Sequence, residues 1–371
     1  MPHTVTFFPT GNADTCLICL QNGRVIIYDY ADTRDPADKN DRRIDLKQEI
    51  LSRVGTGGSV SVLAFSHLDR DHYQRATELF WLAHAKKYQD DARIKVDVLW
   101  VPAAAILEEG IEDEGRVLRA EARHRLKEGK GIRVFSAPNA IDAWLKEQGI
   151  DPAARAHLIT DAGQMPPEFS LAQDEIEFFV HSPFAERCED GSLVERNASA
   201  LFMQATFSVS GELSRLMLSA DCEFEVLEQI VRVTRFHKNE DRLLADINNL
   251  PHHCSYLSLA AEKGREITTP SADLQWLYEH QSNSGCLLVS TSHPIPGDDT
   301  VQPPHRQAAN YYRSVAQKVD GEFIVTMEHP KVAAPEPLEI EITSSGPKVK
   351  KKLAPAAAII TSTHAPRAGA R

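Results

Sequence analysis

The stretch Ser66-His67-Leu68-Asp69-Arg70-Asp71-His72 constrains this chain more than any other. Four potential metal ligands, His67, Asp69, Asp71 and His72, fall within six residues, directly after the apolar run Val60-Ser61-Val62-Leu63-Ala64-Phe65. A strand that stops and releases alternating His and Asp side chains into a loop fixes the backbone and aims several donors at one spot. The bland reading of the same residues is a solvated polar turn, and a single motif does not decide between the two.

The rest of the chain does. Three other apolar runs end in the same residue types: Val25-Ile26-Ile27-Tyr28 ends in Asp29, Leu216-Met217-Leu218-Ser219-Ala220 in Asp221, and Ile247-Asn248-Asn249-Leu250-Pro251 in His252 and His253. Core packing gives no reason to place acids and histidines repeatedly at strand ends. A metal site at one edge of a sheet does.

Hydrophobic periodicity fills in the architecture. Strands are expected at 4–9, 15–20 and 24–28, the last two joined by the Asn22-Gly23 turn, which makes a β-meander opening. A loop at 31–45, a helix at 45–54 and the strand 60–65 lead into the ligand stretch. A helix is expected over 73–91, a strand at 96–101, and a charged helical region over 103–156 interrupted by a strand at 132–135. Further strands are expected at 176–181, 200–207, 213–219, 245–250, 286–290 and 323–327, with helices at 223–236 and 304–318. Strands alternating with helices after a meander define an α/β layered domain over 1–330. The composition then shifts to Pro, Ala, Lys and Ser. A peripheral hairpin is expected over 331–353 and a disordered tail over 354–371. No internal repeat is present.

In this order the segments resemble the metallo-β-lactamase-fold hydrolases, and most closely the subgroup typified by the nuclease domain of ComEC-type DNA-uptake proteins. Gly11-Asn12-Ala13-Asp14-Thr15 resembles the family's opening turn. His67 to His72 matches the H-x-D-x-D-H form of that subgroup, and Asn197-Ala198-Ser199-Ala200-Leu201 resembles its N-x-S segment. Leu218 to Asp221 resembles L-x-G-D, and Ala245-Asp246-Ile247 through His252-His253-Cys254-Ser255 resembles the late A-D…P-H-H-G-S segment. Three departures stand out: Ala220 and Cys254 replace glycines, and Tyr30 follows Asp29 where glycine is usual. The relatives' separate third-motif His has no clear counterpart; His157 and His181 are the candidates, and both read as ordinary polar residues.

The resemblance implies a four-layer αββα sandwich; the helical segment 103–156 lies outside it and reads as an insertion. The resemblance also implies two divalent cations, Zn2+ or Mn2+, the carboxylates making the site harder than an all-His one. His67 and Asp69 would serve the first cation. Asp71, His72 and His253 would serve the second, and Asp221 would bridge. Asp71 would orient the attacking water, His252 would line the pocket, and His305 would contact substrate or protonate a leaving group, unless it is a surface histidine beside Pro303-Pro304. Asp29, Asp14 and Asn197 would support the ligands.

Composition limits the partners. The formal charge is −12, from 41 Lys and Arg against 53 Asp and Glu, which argues against a broad nucleic-acid surface. No apolar run reaches the length of a membrane span. The six cysteines (16, 19, 188, 222, 254, 286) form no paired framework, and Cys16 and Cys19 lie inside an apolar strand pattern, which suits a reducing cytoplasm. Three functions stay open: a metal-dependent phosphodiesterase or nuclease, a small-molecule hydrolase acting on a phosphodiester, lactone or thioester, and a non-catalytic subunit binding a protein partner. That partner would dock on the helical insertion or the basic tail at Lys348, Lys350, Lys351 and Lys352.

Overall fold

The computed structural model describes residues 2–136, 138–185 and 196–350. The expected tail at 354–371, Lys351, Lys352 and Cys188 lie outside the described residues. Seven strands come first: β1 (His3–Phe7), β2 (Cys16–Cys19), β3 (Val25–Tyr28), β4 (Ser59–Ala64), β5 (Lys95–Pro102), β6 (Ile132–Phe135) and β7 (Ile159–Thr160). Six follow: β8 (Ile176–Ser182), β9 (Phe202–Val209), β10 (Glu212–Leu218), β11 (Ala245–Asn249), β12 (Ser282–Ser290) and β13 (Glu322–Val325). The last two are β14 (Leu338–Thr343) and β15 (Gly346–Val349). They assemble into two sheets, ordered β15-β14-β1-β2-β3-β4-β5-β6-β7 and β13-β12-β11-β10-β9-β8.

Side-chain alternation along these strands divides the interior into three cores. In β2, Cys16 and Ile18 face the opposite sheet while Leu17 faces outward helices. In β10, Leu216 and Leu218 face between the sheets while Met217 faces the other way. Helices cover both outer faces. On the first sheet lie α1 (Leu46–Val54), α2 (Arg70–Tyr73), α3 (Ala76–Leu79), α4 (Ala104–Leu107), α5 (Asp113–Glu128) and α6 (Asn139–Glu147). After a short α7 (Leu171–Asp174), the second sheet is covered by α8 (Phe224–Phe236), α9 (Ala272–His280) and α10 (Arg306–Lys318). The result is the four-layer αββα sandwich with a helical insertion. The 103–156 segment supplies α4, α5 and α6 to the outer layer and lends β6 to the sheet. The late hairpin pairs with β1 in antiparallel register and buries Leu338, Ile340 and Ile342 between the sheets.

Between the sheets Trp100 is fully buried and meets Phe135, Phe169 and Phe178 edge-on at centroid distances of 5.4, 6.1 and 5.2 Å. This packing joins the sheets on which the site is built, and removing an aromatic of this size costs about 3–5 kcal/mol.

One expected element is absent. The helix over 73–91 is replaced by α2, α3 and the single turn Lys86–Tyr88. Arg75 takes a left-handed conformation (φ 61°), which ends the first turn, and Phe80 forms a bridge with Ile94. The segment that follows is held from outside. Glu121 of α5, fully buried, accepts from the backbone N–H of Ala83 and of His84 at 2.9 Å each, from His84 Nδ1 at 2.8 Å and from Arg125 Nε at 2.6 Å. A buried carboxylate supplies the partners that helical hydrogen bonds would otherwise supply.

Candidate metal centre

The carboxyl ends of strands from both sheets meet at one edge. β3 and β4 run parallel, as do β10, β11 and β12. Asp29 follows β3, His67 to His72 follow β4, Asp221 follows β10, and His252 and His253 follow β11. Asp14 comes from the turn between β1 and β2, and its N–H donates to Asp71 O at 3.1 Å. Gly11, which opens that turn, has φ +82°, and a Cβ there would lie 2.8 Å from the His293 ring, so both backbone and space call for glycine.

Donor atoms of Asp71, His72, Asp221 and His253 lie within 4.8 Å of one another, and a second group is formed by Asp14, Asp29 and His72. His72 Nε2 is 3.3 Å from Asp221 Oδ1, and His253 Nε2 is 3.1 Å from Asp71 Oδ2 and 3.7 Å from Asp221 Oδ2. His67 stacks beside His72 at a centroid distance of 4.0 Å, with its Nε2 3.4 Å from Asp69 Oδ2. His252 stands at the rim, its Nε2 3.8 Å from Asp221 Oδ2.

Each of the three inner imidazoles is oriented through Nδ1. His72 Nδ1 donates to Asp29 Oδ2 at 2.8 Å, and His253 Nδ1 donates to Thr291 O at 2.9 Å. Ser66 Oγ donates to Asp29 Oδ2 at 2.6 Å, which leaves its lone pair for His67 Nδ1 at 3.0 Å. All three rings therefore turn Nε2 toward the site, the arrangement that fixes the ligand tautomer at a metal. His67 Nε2, His72 Nε2 and Asp221 Oδ1 are buried and accept or donate no hydrogen bond. Leaving one such group unpaired costs about 1–3 kcal/mol, and two of them, His72 Nε2 and Asp221 Oδ1, belong to the same donor group. A divalent cation fits that donor set. Backbone strain is also concentrated here: His252, His253 and Cys254 have φ of 50°, 52° and 65°, and Ala220 has 47°.

The charges are mutually dependent. Burial opposes protonation of His72, but the Asp221 and Asp29 carboxylates outweigh it and hold its pKa well above the usual range. Burial opposes ionisation of Asp221, and His253 and His72 overcome it, keeping that carboxylate charged. Asp14 sits where burial wins, pushed up to about 6 against the pull of His253 and His72.

The other expected site residues fall into two sets. Asp29 and Asp14 form the second candidate group with His72, Asp14 also accepting a hydrogen bond from Thr291 Oγ1. Asn197 Nδ2 donates to Glu223 Oε1 at 3.3 Å, beyond the ligand groups. His305 is also outside them: its ring is buried against Tyr256, with Nδ1 accepting from Tyr256 N–H at 3.3 Å and Nε2 donating to Val301 O at 3.2 Å. Both nitrogens are thus occupied by backbone. His181 lies under α8, donating to Arg242 O at 2.8 Å, and the exposed His157 takes no part in either ligand group.

Sequence reasoning missed Ser66, Thr291, Arg196 and Glu108. Arg196 donates to Asp69 Oδ1 and, through Nε and Nη2, to Glu108 Oε1 at 2.9 and 2.6 Å. A signal existed for Arg196, which immediately precedes the Asn197-Ala198-Ser199 segment. Glu108 sits in a charged run that reads as a solvated face.

No protein-family model matches the sequence, and no curated protein matches it. Among solved structures, the fold is similar to Igni18, described as a novel metallo hydrolase from the hyperthermophilic archaeon Ignicoccus hospitalis KIN4/I, with 12% identity, a TM-score of 0.41, and coverage of 92% of this chain and 99% of that one. It is also similar to unliganded yeast PDE1, with 9% identity, a TM-score of 0.41, and coverage of 87% and 96%. Similarity at this level transfers no function, which has to come from the residues themselves.

Proposed function

We propose that this protein is a metal-dependent hydrolase and that its substrate is a phosphodiester, a nucleic acid in the first instance. The observation that carries the reading is the gathering of donor atoms from Asp71, His72, Asp221 and His253 within 4.8 Å of one another, with His72 Nε2 and Asp221 Oδ1 buried and making no hydrogen bond. A divalent cation bound there supplies a Lewis acid and a nucleophilic water at neutral pH. The resident metal is Zn2+ or Mn2+, the two carboxylates of the inner group keeping Mn2+ in competition.

The chain's own groups divide the remaining work. Asp71 has the most exposed carboxylate of the inner group, so it can accept a hydrogen bond from water at the mouth of the site. Asp221 holds the centre between His72 and His253. Asp29 fixes the His72 ring. His252, at the rim, is placed to touch substrate and to carry a proton to the departing oxygen.

A small phosphodiester is the second reading, favoured by the net charge of −12, which repels a polynucleotide. The test is cleavage of single-stranded DNA, RNA and bis-p-nitrophenyl phosphate by chelated and by Mn2+- or Zn2+-loaded protein. Turnover of the small ester with no turnover of either polymer selects the second reading. Hydrolysis that survives complete chelation rules out both.

A further inference from the structure

The half of the site around His67 and Asp69 differs from the half around His72 and His253. The four-residue group has its donors gathered and its rings oriented. His67 and Asp69 belong to neither ligand group among the described residues, and no third donor joins them. What meets Asp69 instead is a positive charge. Arg196 donates to Asp69 Oδ1, and its guanidinium is gripped on another edge by Glu108, whose oxygens lie 2.9 and 3.1 Å from Nε. Only Oδ2 of Asp69 is left, 3.4 Å from His67 Nε2. Asp69 and Arg196 are partly exposed, but Glu108 is largely buried, so the clamp is fixed from the protein side.

Resting on the reading of the site as a metal centre, we infer that this chain holds one cation tightly, at Asp71, His72, Asp221 and His253, and that the Arg196 guanidinium occupies the electrostatic role of a second. A fixed cation beside Asp69 repels a divalent ion at His67 and Asp69 and removes one of the oxygens that ion would use. The same guanidinium can neutralise Asp69 and offer its remaining N–H groups to an anionic oxygen of the substrate, in the planar geometry that arginine provides. The chain thereby keeps two positive centres next to the reaction with one metal ion.

The experiment measures metal stoichiometry, independently of turnover. Full-length wild type, Arg196→Met and Glu108→Gln are stripped, titrated with Mn2+ and Zn2+ by calorimetry, and assayed for bound metal by elemental analysis, with melting curves to confirm folding. Wild type is expected to bind one cation per chain tightly. Arg196→Met is expected to gain a second, or to tighten a weak second event by at least about tenfold. Glu108→Gln, which loosens the clamp without removing the arginine, is expected to move the same way by less, and it reads the effect should Arg196→Met fail to fold. Two equally tight cations in wild type, or an unchanged stoichiometry and second affinity in folded variants, overturn the inference. Trace metal in all three proteins overturns the metal-centre reading on which it rests.

Discussion

Asp29 accepts the Nδ1 proton of His72 at 2.8 Å, with both side chains completely buried. The same carboxylate accepts from Ser66 N–H at 2.7 Å and Ser66 Oγ at 2.6 Å, so one acid fixes the orientation of two neighbouring histidines. Asp29→Asn keeps the size of the side chain and removes its charge. Metal affinity is expected to fall about 10- to 100-fold while the melting temperature of the metal-free protein changes little. Calorimetric titration of both proteins checks this, and an unchanged affinity would show that Asp29 serves only the fold.

Chelation should destabilise the loaded protein. A cation that binds only the folded chain adds about 2.7 kcal/mol at a free concentration one hundred times its Kd. Melting curves with and without chelator are expected to separate accordingly. Superimposable curves, with metal shown to be bound beforehand, would place the cation on a surface site instead of at this cluster.

Glu121 is a structural acid outside both candidate ligand groups. Glu121→Ala leaves Arg125 buried beside lost backbone partners at Ala83 and His84, and a cost of about 3–5 kcal/mol is expected. The remaining folded protein should bind metal normally. Urea unfolding gives the first quantity and metal titration the second; a stability loss below about 1 kcal/mol would mean that water replaces the carboxylate freely.

His181 sets a pH dependence away from the ligands. Burial between Phe179 and Phe202 lowers its pKa from 6.5 to about 4. The unfolded chain binds its proton near pH 6.5 and the folded chain only near pH 4, so the contribution is complete above 6.5 and is lost as the pH falls toward 4. The full swing is on the order of 3 kcal/mol. Wild type should therefore lose more stability between pH 7.5 and 5 than His181→Gln does. Parallel losses in the two proteins would locate the acid sensitivity elsewhere.

The strand-end residues were legible because each ends an apolar run whose period-two pattern is local, and the three cores follow from the same alternation. The break in the expected 73–91 helix was not. The carboxylate that holds Ala83 and His84 in its place, Glu121, lies 38 and 37 residues further along and reads as one acid in a charged helix. Arg196 and Glu108 were hidden for the same reason: they are 88 residues apart, and only the folded chain shows that Glu108 and Asp69 share the Arg196 guanidinium. His305 carried a plausible signal beside Pro303-Pro304, but its backbone hydrogen bonds exist only once Tyr256 and Val301 are in place.

The central claim is tested most directly by following bis-p-nitrophenyl phosphate cleavage while Mn2+ or Zn2+ is returned to chelated wild type and to chelated Asp221→Asn. The expected result is activity that rises from baseline in wild type and saturates with bound metal, and stays at baseline in Asp221→Asn at concentrations that saturate wild type. Activity in wild type that ignores chelation, or full activity in Asp221→Asn, would contradict a hydrolase built around this centre.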